Sequence, residues 1–319
     1  MLILSADDVR AALDMPSCIE AMRGALLGLH RGELSMPLRS LVRPPGSALL
    51  GLMPAHRGGA RPLFSLKEIV FAPANSARGL DTHQGAVLLH DGVDGRLIAI
   101  LNASAITEIR TAAVSGLAST LLARRNARRV AILGSGVQGR SHAVAMRAVF
   151  PDAELHFWSP SPARAEALAR EARGLAARSI RDALDGAGVV CTCTAAREPI
   201  VALSMLSEGA HVNAVGSSMP SARELESEVV AAASLFVDRR ESTVNESGDY
   251  LRAVEERGIG PGHIRAEIGE LLAGEHPGRT SEGELTLFKS LGLAVEDLAA
   301  AELAVANARQ RGLGTEREF

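Results

Sequence analysis

The residues best suited to chemistry in this chain fall into three groups. The first is Gly134-Ser135-Gly136-Val137-Gln138-Gly139, which directly follows the apolar run Val130-Ala131-Ile132-Leu133. Glycine-rich turns are common, but GxGxxG between a strand and a helix has a specific use. Gly134 allows the tight turn, Gly136 lets the backbone approach a pyrophosphate, and Gly139 lets the helix pack closely on the strand. The N–H groups at the helix start, from Val137 and Gln138 onward, then face the phosphates. The second group, Ser159, Ser161 and Arg164, ends the next apolar strand. A site for NAD(H) places Asp or Glu there to hold the ribose hydroxyl. Hydroxyls and an arginine instead suit a 2′-phosphate, so NADP(H) is expected, with NAD(H) as the lesser choice. The third group is Arg39, Lys67 and Arg110, set in the apolar stretches MPLRSLV, FSLKEIV and AITEIRTAAV. Each alone reads as a surface charge. Three near predicted strand ends make a cluster that could capture a carboxylate, the arginines by forked hydrogen bonds and the lysine as a point charge.

The elements that must position these groups divide the chain in two. Residues 1–115 read as helices and antiparallel strands. There is a strand at 1–4, a helix capped by Ser5, an amphipathic helix at 16–32, an extended segment at 36–42 and strands at 48–53 and 65–70. A hairpin at 85–102 turns through Asp91-Gly92-Val93-Asp94-Gly95. A helix from Thr111 leads into residues 116–295, where strands at 129–133, 154–158, 189–194, 211–215 and 233–237 alternate with helices. That alternation predicts a Rossmann-type, doubly wound parallel sheet, so the fold class is α/β with an α+β N-terminal domain. The Ala-rich segment 296–319 is expected to be a helix that returns to the first domain.

Composition excludes several functions. The chain has 319 residues, 47% hydrophobic, and a net charge of −3 with both signs scattered, which leaves no basic face for nucleic acid. The N-terminus lacks a secretory signal and no apolar run approaches a membrane span, so a cytoplasmic protein is expected. Three cysteines, Cys18, Cys191 and Cys193, do not make a disulfide framework. Cys191 and Cys193 have no second pair to complete a metal site, so no metal is expected and they read as small residues of a buried strand.

The segments MPLRS, SLKEIV, THQG, ITEIRTAA, GSGVQG, NAVGSSMPSARELE and LTLFKSLGLAVEDLAAAELA together resemble the ornithine cyclodeaminase/mu-crystallin family, in the family order and over residues 36–304. The resemblance implies an N-terminal substrate and dimerisation domain, a Rossmann domain and a homodimer. It implies that Arg39, Lys67 and Arg110 bind a substrate carboxylate, with Thr82 and Leu291-Gly292 lining the same pocket. It also places Thr111, Thr194, Val215 and Ser290 near the cofactor. His83 and Asp297 read as structural, and His142 as packing or surface.

One departure from the family pattern carries the functional expectation. Cyclodeaminases and the family's alanine dehydrogenase have GxDxPGKxEL where this chain has Gly216-Ser217-Ser218-Met219-Pro220-Ser221-Ala222-Arg223-Glu224-Leu225. Ser218 replaces the Asp, as in ketimine reductases and pyrroline-carboxylate reductases. An α-ammonium substrate needs that carboxylate, whereas an imine nitrogen needs only a hydrogen bond, which a hydroxyl supplies. The expected activity is NAD(P)H-dependent reduction of a small cyclic imino acid such as Δ1-pyrroline-2-carboxylate or Δ1-piperideine-2-carboxylate, with Lys67 as proton donor. The alternatives are an ornithine cyclodeaminase or amino acid dehydrogenase with bound NAD, and a mu-crystallin-like protein that binds NADPH and a ligand.

Overall fold

The computed structural model describes residues 1–46 and 48–318. Its contacts divide the chain into two compact units. One is Met1–Arg110 with Leu293–Phe319, and the other is Thr111–Gly292.

The first unit begins with β1 (Leu2–Leu4) and α1 (Ala6–Ala12). The capping box that opens α1 is the expected one, with Ser5 and Asp8 bonding each other's backbone N–H. Next come α2 (Met15–His30), β2 (Leu34–Ser35), β3 (Ser40–Val42), β4 (Leu49–Arg57), β5 (Leu63–Phe71), β6 (His83–Asp91) and β7 (Leu97–Asn102). The expected extended segment at 36–42 narrows to β3. The long strands β4, β5 and β6 pair antiparallel residue for residue, and this register sets Lys67 between Met53 and Val87. Alternation then decides the faces: Met53, Ala55, Leu63, Ser65, Lys67, Val87 and Leu89 are all buried on one side. The helix expected from Thr111 is α3 (Ala103–Leu122), which starts eight residues earlier because the Asn102 side chain accepts the Ala105 N–H. Arg110 therefore lies on a helix and belongs to the first unit, while Thr111 opens the second.

The second unit holds β8 (Arg129–Leu133), α4 (Val137–Val149), β9 (Glu154–Trp158), α5 (Pro162–Glu171), β10 (Leu175–Ala176), α6 (Ile180–Leu184), β11 (Val189–Thr192), β12 (His211–Ala214), α7 (Ser227–Ala232), β13 (Ser234–Val237), α8 (Arg240–Glu246), α9 (Gly248–Arg257), β14 (Ile264–Glu267), α10 (Ile268–Leu272) and β15 (Thr286–Lys289). Its strands are all parallel, in the order β10-β9-β8-β11-β12-β15-β13-β14. Two of them, β14 and β15, lie beyond the last strand expected from sequence. Charged or polar residues (Arg265 and Glu267, Thr286 and Lys289) interrupt their apolar character. The chain folds outward in opposite directions from β8, so the order reverses between β8 and β11, the position where open α/β sheets bind ligands.

The chain ends with α11 (Ala294–Arg311) and β16 (Thr315–Glu316) in the first unit, where β16 pairs with β1. The helix expected over 296–319 stops at Arg311 because Gly312 takes the left-handed conformation (φ 65°). Phe319 lies outside the described residues. Its Val295, Leu298, Ala301, Ala304, Val305 and Ala308 are buried, and α11 packs on α1, α2, β4, β5 and β6.

Candidate active site

In the first unit, Lys67 and Arg110 meet on one carboxylate. The Lys67 ammonium lies 2.7 Å from Asp297 Oδ2, and Arg110 Nε donates to Asp297 Oδ1 at 2.9 Å. Arg110 Nη1 donates to Glu296 Oε2 at 2.9 Å. All four side chains are at most 5% exposed. Lys67 comes from β5, Arg110 from α3, and both carboxylates from the first turn of α11, where the helix dipole favours negative charge. A Thr107 hydroxyl at 3.5 Å gives the ammonium a second partner. Burial lowers the Lys67 pKa to about 8; Asp297 opposes the shift, while Arg110 and the more distant Arg39 add to it. Desolvation is the largest of these effects, because Lys67 stands between two apolar strand neighbours.

Arg39 is half-buried just before β3, within electrostatic reach of Lys67. The Thr82 hydroxyl bonds His83 Nδ1 at 3.0 Å, and Thr82 precedes Val87, the β6 partner of Lys67, by five residues. Asp297 holds both cations, which is more than the structural part read from sequence. Glu296 was not singled out at all. The signal available was a pair of adjacent acids, Glu296-Asp297, inside the apolar run LGLAVEDLAAAELAVA.

In the second unit, the residues expected at the cofactor collect at the carboxyl ends of neighbouring strands. Gly134 follows β8, Ser159 follows β9, Thr194 lies two residues past β11, Val215 follows β12 and Ser290 follows β15. Thr111 is buried on α3. Gly134 has φ 118° and lies so close to Cys193 O that a Cβ there would come within 2.4 Å. Gly136 opens α4 as its N-cap with no side-chain cap, and a Cβ on it would meet nothing within 4 Å. That open, uncapped backbone fits a pyrophosphate. Gly139 acts differently from the expectation: a Cβ on it would strike the Gly134 carbonyl oxygen at 2.1 Å, so the close packing is of helix on turn rather than helix on strand. Val137 is exposed and Gln138 half-buried beside it.

At the end of β9, Ser159 is buried and accepts from Ser135 Oγ at 2.8 Å, Ser161 caps α5 without a side-chain bond, and Arg164 is exposed. Glu224, missed as a site residue, fixes the neighbouring loops. Its Oε1 accepts from Thr194 N and Oγ1, both at 2.7 Å, and its Oε2 from Thr192 Oγ1 at 2.6 Å and Gly216 N at 2.7 Å. Burial raises its pKa against those donors. Asp238 Oδ2 similarly accepts from Leu291 N and Gly292 N at 2.6 and 2.8 Å. In the loop after β12, the hydroxyl committed to the turn is that of Ser217, which donates to Ala222 O, whereas Ser218 is exposed. Of the two readings of His142, packing or surface, the structure shows packing. It is buried, with Nδ1 against Gln138 O and Nε2 against Ser115 Oγ, and its pKa falls to about 4. Among the described residues no group of His, Cys, Asp and Glu is arranged to hold a metal ion, and no helix is long and apolar enough to cross a membrane.

The chain and its fold have counterparts among known proteins. Over 307 residues the chain is 37% identical to the ketimine reductase mu-crystallin of Mus musculus, covering 94% of this chain and 95% of that protein. The structure of Thermococcus litoralis Δ1-pyrroline-2-carboxylate reductase in complex with NADH and L-proline superposes with a TM-score of 0.94 at 34% identity, covering 99% of this chain and 100% of that one. An archaeal alanine dehydrogenase dimer with bound NAD follows at TM-score 0.92 and 31% identity, covering 100% and 99%. The sequence pattern of the ornithine cyclodeaminase/mu-crystallin family matches residues 1–312. With that match over nearly the whole chain, and with the parallel sheet and its glycine turn in place, the chain belongs to the ornithine cyclodeaminase/mu-crystallin family.

Proposed function

We infer that this protein is an NAD(P)H-dependent oxidoreductase that reduces the C=N bond of a small cyclic imino acid, Δ1-pyrroline-2-carboxylate or Δ1-piperideine-2-carboxylate. The observation that carries this reading is the buried array of Lys67, Arg110 and Asp297. Lys67, Arg110 and Arg39 set three positive charges against the carboxylates of Glu296 and Asp297. One positive charge is left over, which a single substrate carboxylate balances. Relatives with that activity support the reading. One is a ketimine reductase, and another is a pyrroline-2-carboxylate reductase seen with L-proline, the product such a reduction gives.

The dinucleotide would be held by Gly134, Gly136, Val137, Gln138 and Gly139 at its pyrophosphate, with Thr111, Thr194, Val215 and Ser290 around it. The reduced nicotinamide supplies the hydride for the C=N carbon. Arg39 and Arg110 hold the carboxylate and so fix the orientation of the ring. As the C=N electron pair moves to nitrogen, Lys67 donates the proton that nitrogen needs. A lysine titrating near pH 8 is charged at neutral pH, yet gives up its proton far more readily than one at 10.5. Ser218 is read as the hydroxyl that hydrogen-bonds the imine nitrogen, and Thr82 as a lining residue of the substrate pocket.

NADP(H) is the preferred form, because β9 ends in Ser159 and Ser161 with Arg164 following, and no carboxylate stands there for the ribose hydroxyls. NAD(H) remains usable, and the solved relatives named above hold NADH or NAD. The protein is read as a cytoplasmic homodimer. Its cysteines are free thiols, as a reducing compartment keeps them. The face of the first sheet opposite α11 carries Leu50, Leu52, Phe64, Leu66, Val70, Leu88, Ile98 and Ile100 half-buried or exposed, an apolar face of the kind that joins subunits.

The deciding experiment offers both cyclic imines and follows NADPH absorbance, with ammonia release from ornithine measured in parallel. Imine reduction with little ammonia supports the reading. Ammonia at a comparable rate refutes it in favour of a cyclodeaminase. Tight NADPH binding with no turnover would make the protein a binder.

A further inference from the structure

Two carboxylates reach the cationic cluster, but only one of them touches the lysine. Asp297 divides its oxygens, with Oδ2 to Lys67 Nζ at 2.7 Å and Oδ1 to Arg110 Nε at 2.9 Å. Glu296, one residue earlier, meets Arg110 Nη1 at 2.9 Å and not the lysine. The other groups facing Lys67 are Thr107 and Arg110 on α3, Arg39 ahead of β3, and His83 on β6. Its strand neighbours Met53 and Val87 are buried and apolar. Of these groups only Asp297 carries negative charge to the ammonium, and both arginines and the surrounding apolar side chains favour a neutral amine.

We propose that Asp297 is a positioning residue of the imine-reducing site: its single carboxylate holds the Lys67 ammonium and the Arg110 guanidinium at fixed spacing, keeps the lysine charged inside the fold, and so readies it as proton donor beside the carboxylate anchor. This rests on the functional reading above. It accounts for the placement of a buried acid on a helix whose other buried residues, Glu296 apart, are apolar. It also couples the two halves of the chemistry. A substrate carboxylate arriving at Arg110 adds negative charge beside a lysine that already shares Asp297 with that arginine, and so strengthens the hold on its proton until nitrogen takes it.

The test is the pH profile of kcat/KM for Δ1-pyrroline-2-carboxylate. In the wild type, activity that requires charged Lys67 should fall as pH rises through about 8. Asp297→Asn removes the one negative partner, so the lysine loses its proton at lower pH and the descending limb should move down by ~1–3 pH units. Glu296→Gln should raise KM through Arg110 while the limb stays near its wild-type position. A merely structural role for Asp297 would scale the profile without moving it, and that result overturns the proposal. So does a wild-type profile flat from pH 6 to about pH 10, a check that needs no variant to fold.

Binding of pyrrole-2-carboxylate, which cannot be reduced, separates this proposal from the activity it rests on. Calorimetric binding that weakens above about pH 8 in wild type, and at lower pH in Asp297→Asn, supports Asp297 even if no imine is turned over. Imine turnover with an unshifted Asp297→Asn limb sinks Asp297 and leaves the reductase. Neither binding nor turnover sinks both.

Discussion

Replacing Gly136 and Gly139 separately by alanine should produce two different defects, although the substitutions lie three residues apart in one turn. At Gly139 the added methyl would lie 2.1 Å from the Gly134 carbonyl oxygen and 2.9 Å from its carbon. Both are backbone atoms, held on their other side by Gly134's close approach to Cys193, so neither can yield cheaply. Overpacking of this kind costs ~1–3 kcal/mol, which for a unit of this size lowers Tm by about 2–12 °C. The displaced turn also loses cofactor. At Gly136 nothing lies within 4 Å and φ is −80°, so alanine is free of strain in the protein itself. Its methyl instead occupies the space a pyrophosphate needs. Gly136→Ala should therefore melt like the wild type but bind NADPH at least tenfold more weakly, a loss of about 1.4 kcal/mol or more. Melting curves and NADPH fluorescence titrations of the two variants decide it. Native NADPH affinity in Gly136→Ala would show that this turn does not seat the pyrophosphate. Native melting of Gly139→Ala would show that the close approach does not constrain the fold.

Other perturbations test the remaining parts. Arg164→Ala should weaken NADPH binding more than NADH binding, and equal losses would remove the arginine from the 2′-phosphate. Arg110→Ala and Lys67→Ala should each lower kcat/KM by ~2–5 kcal/mol, roughly 30- to several-thousand-fold; near-native turnover in either variant would take that residue out of the site. Ser218→Asp should slow imine reduction and favour amine substrates, because a carboxylate would hold a cationic nitrogen as an ion pair, and an unchanged substrate ratio would refute the role given to Ser218. His142 and His211 are buried, with pKa values lowered to about 4 and about 3. Unfolding frees both to protonate near 6.5, so stability should fall as pH drops from there toward 4. Chemical denaturation at pH 7 and pH 5 checks the sign, and greater stability at pH 5 would contradict it.

Local chemistry makes much of this protein legible in its amino-acid order alone. The turn at Gly134–Gly139 announces itself because only glycine tolerates φ 118° or a carbonyl where a Cβ would be, so the constraint is written in residue type. The hairpin strand at Leu97–Asn102, the strands Arg129–Leu133 and Glu154–Trp158, and the Ser5–Asp8 capping box are set by alternation and near-neighbour hydrogen bonds. Lys67 and Arg110 stand out as charges inside apolar runs.

What the sequence could not show was which distant groups meet. Nothing local at Asp297 distinguishes a solvated helix acid from one that bonds Lys67 and Arg110, residues 230 and 187 positions away. Only the packing of α11 on β5 and β6 brings them together. The same holds for Glu224, which gathers Thr192, Thr194 and Gly216, and for β15, whose place between β12 and β13 depends on pairing rather than on its own composition. The lysine's acidity followed from tertiary structure as well. The sequence supplied its charged neighbours, but the larger effect is the loss of water around it, and burial belongs to the folded chain as a whole.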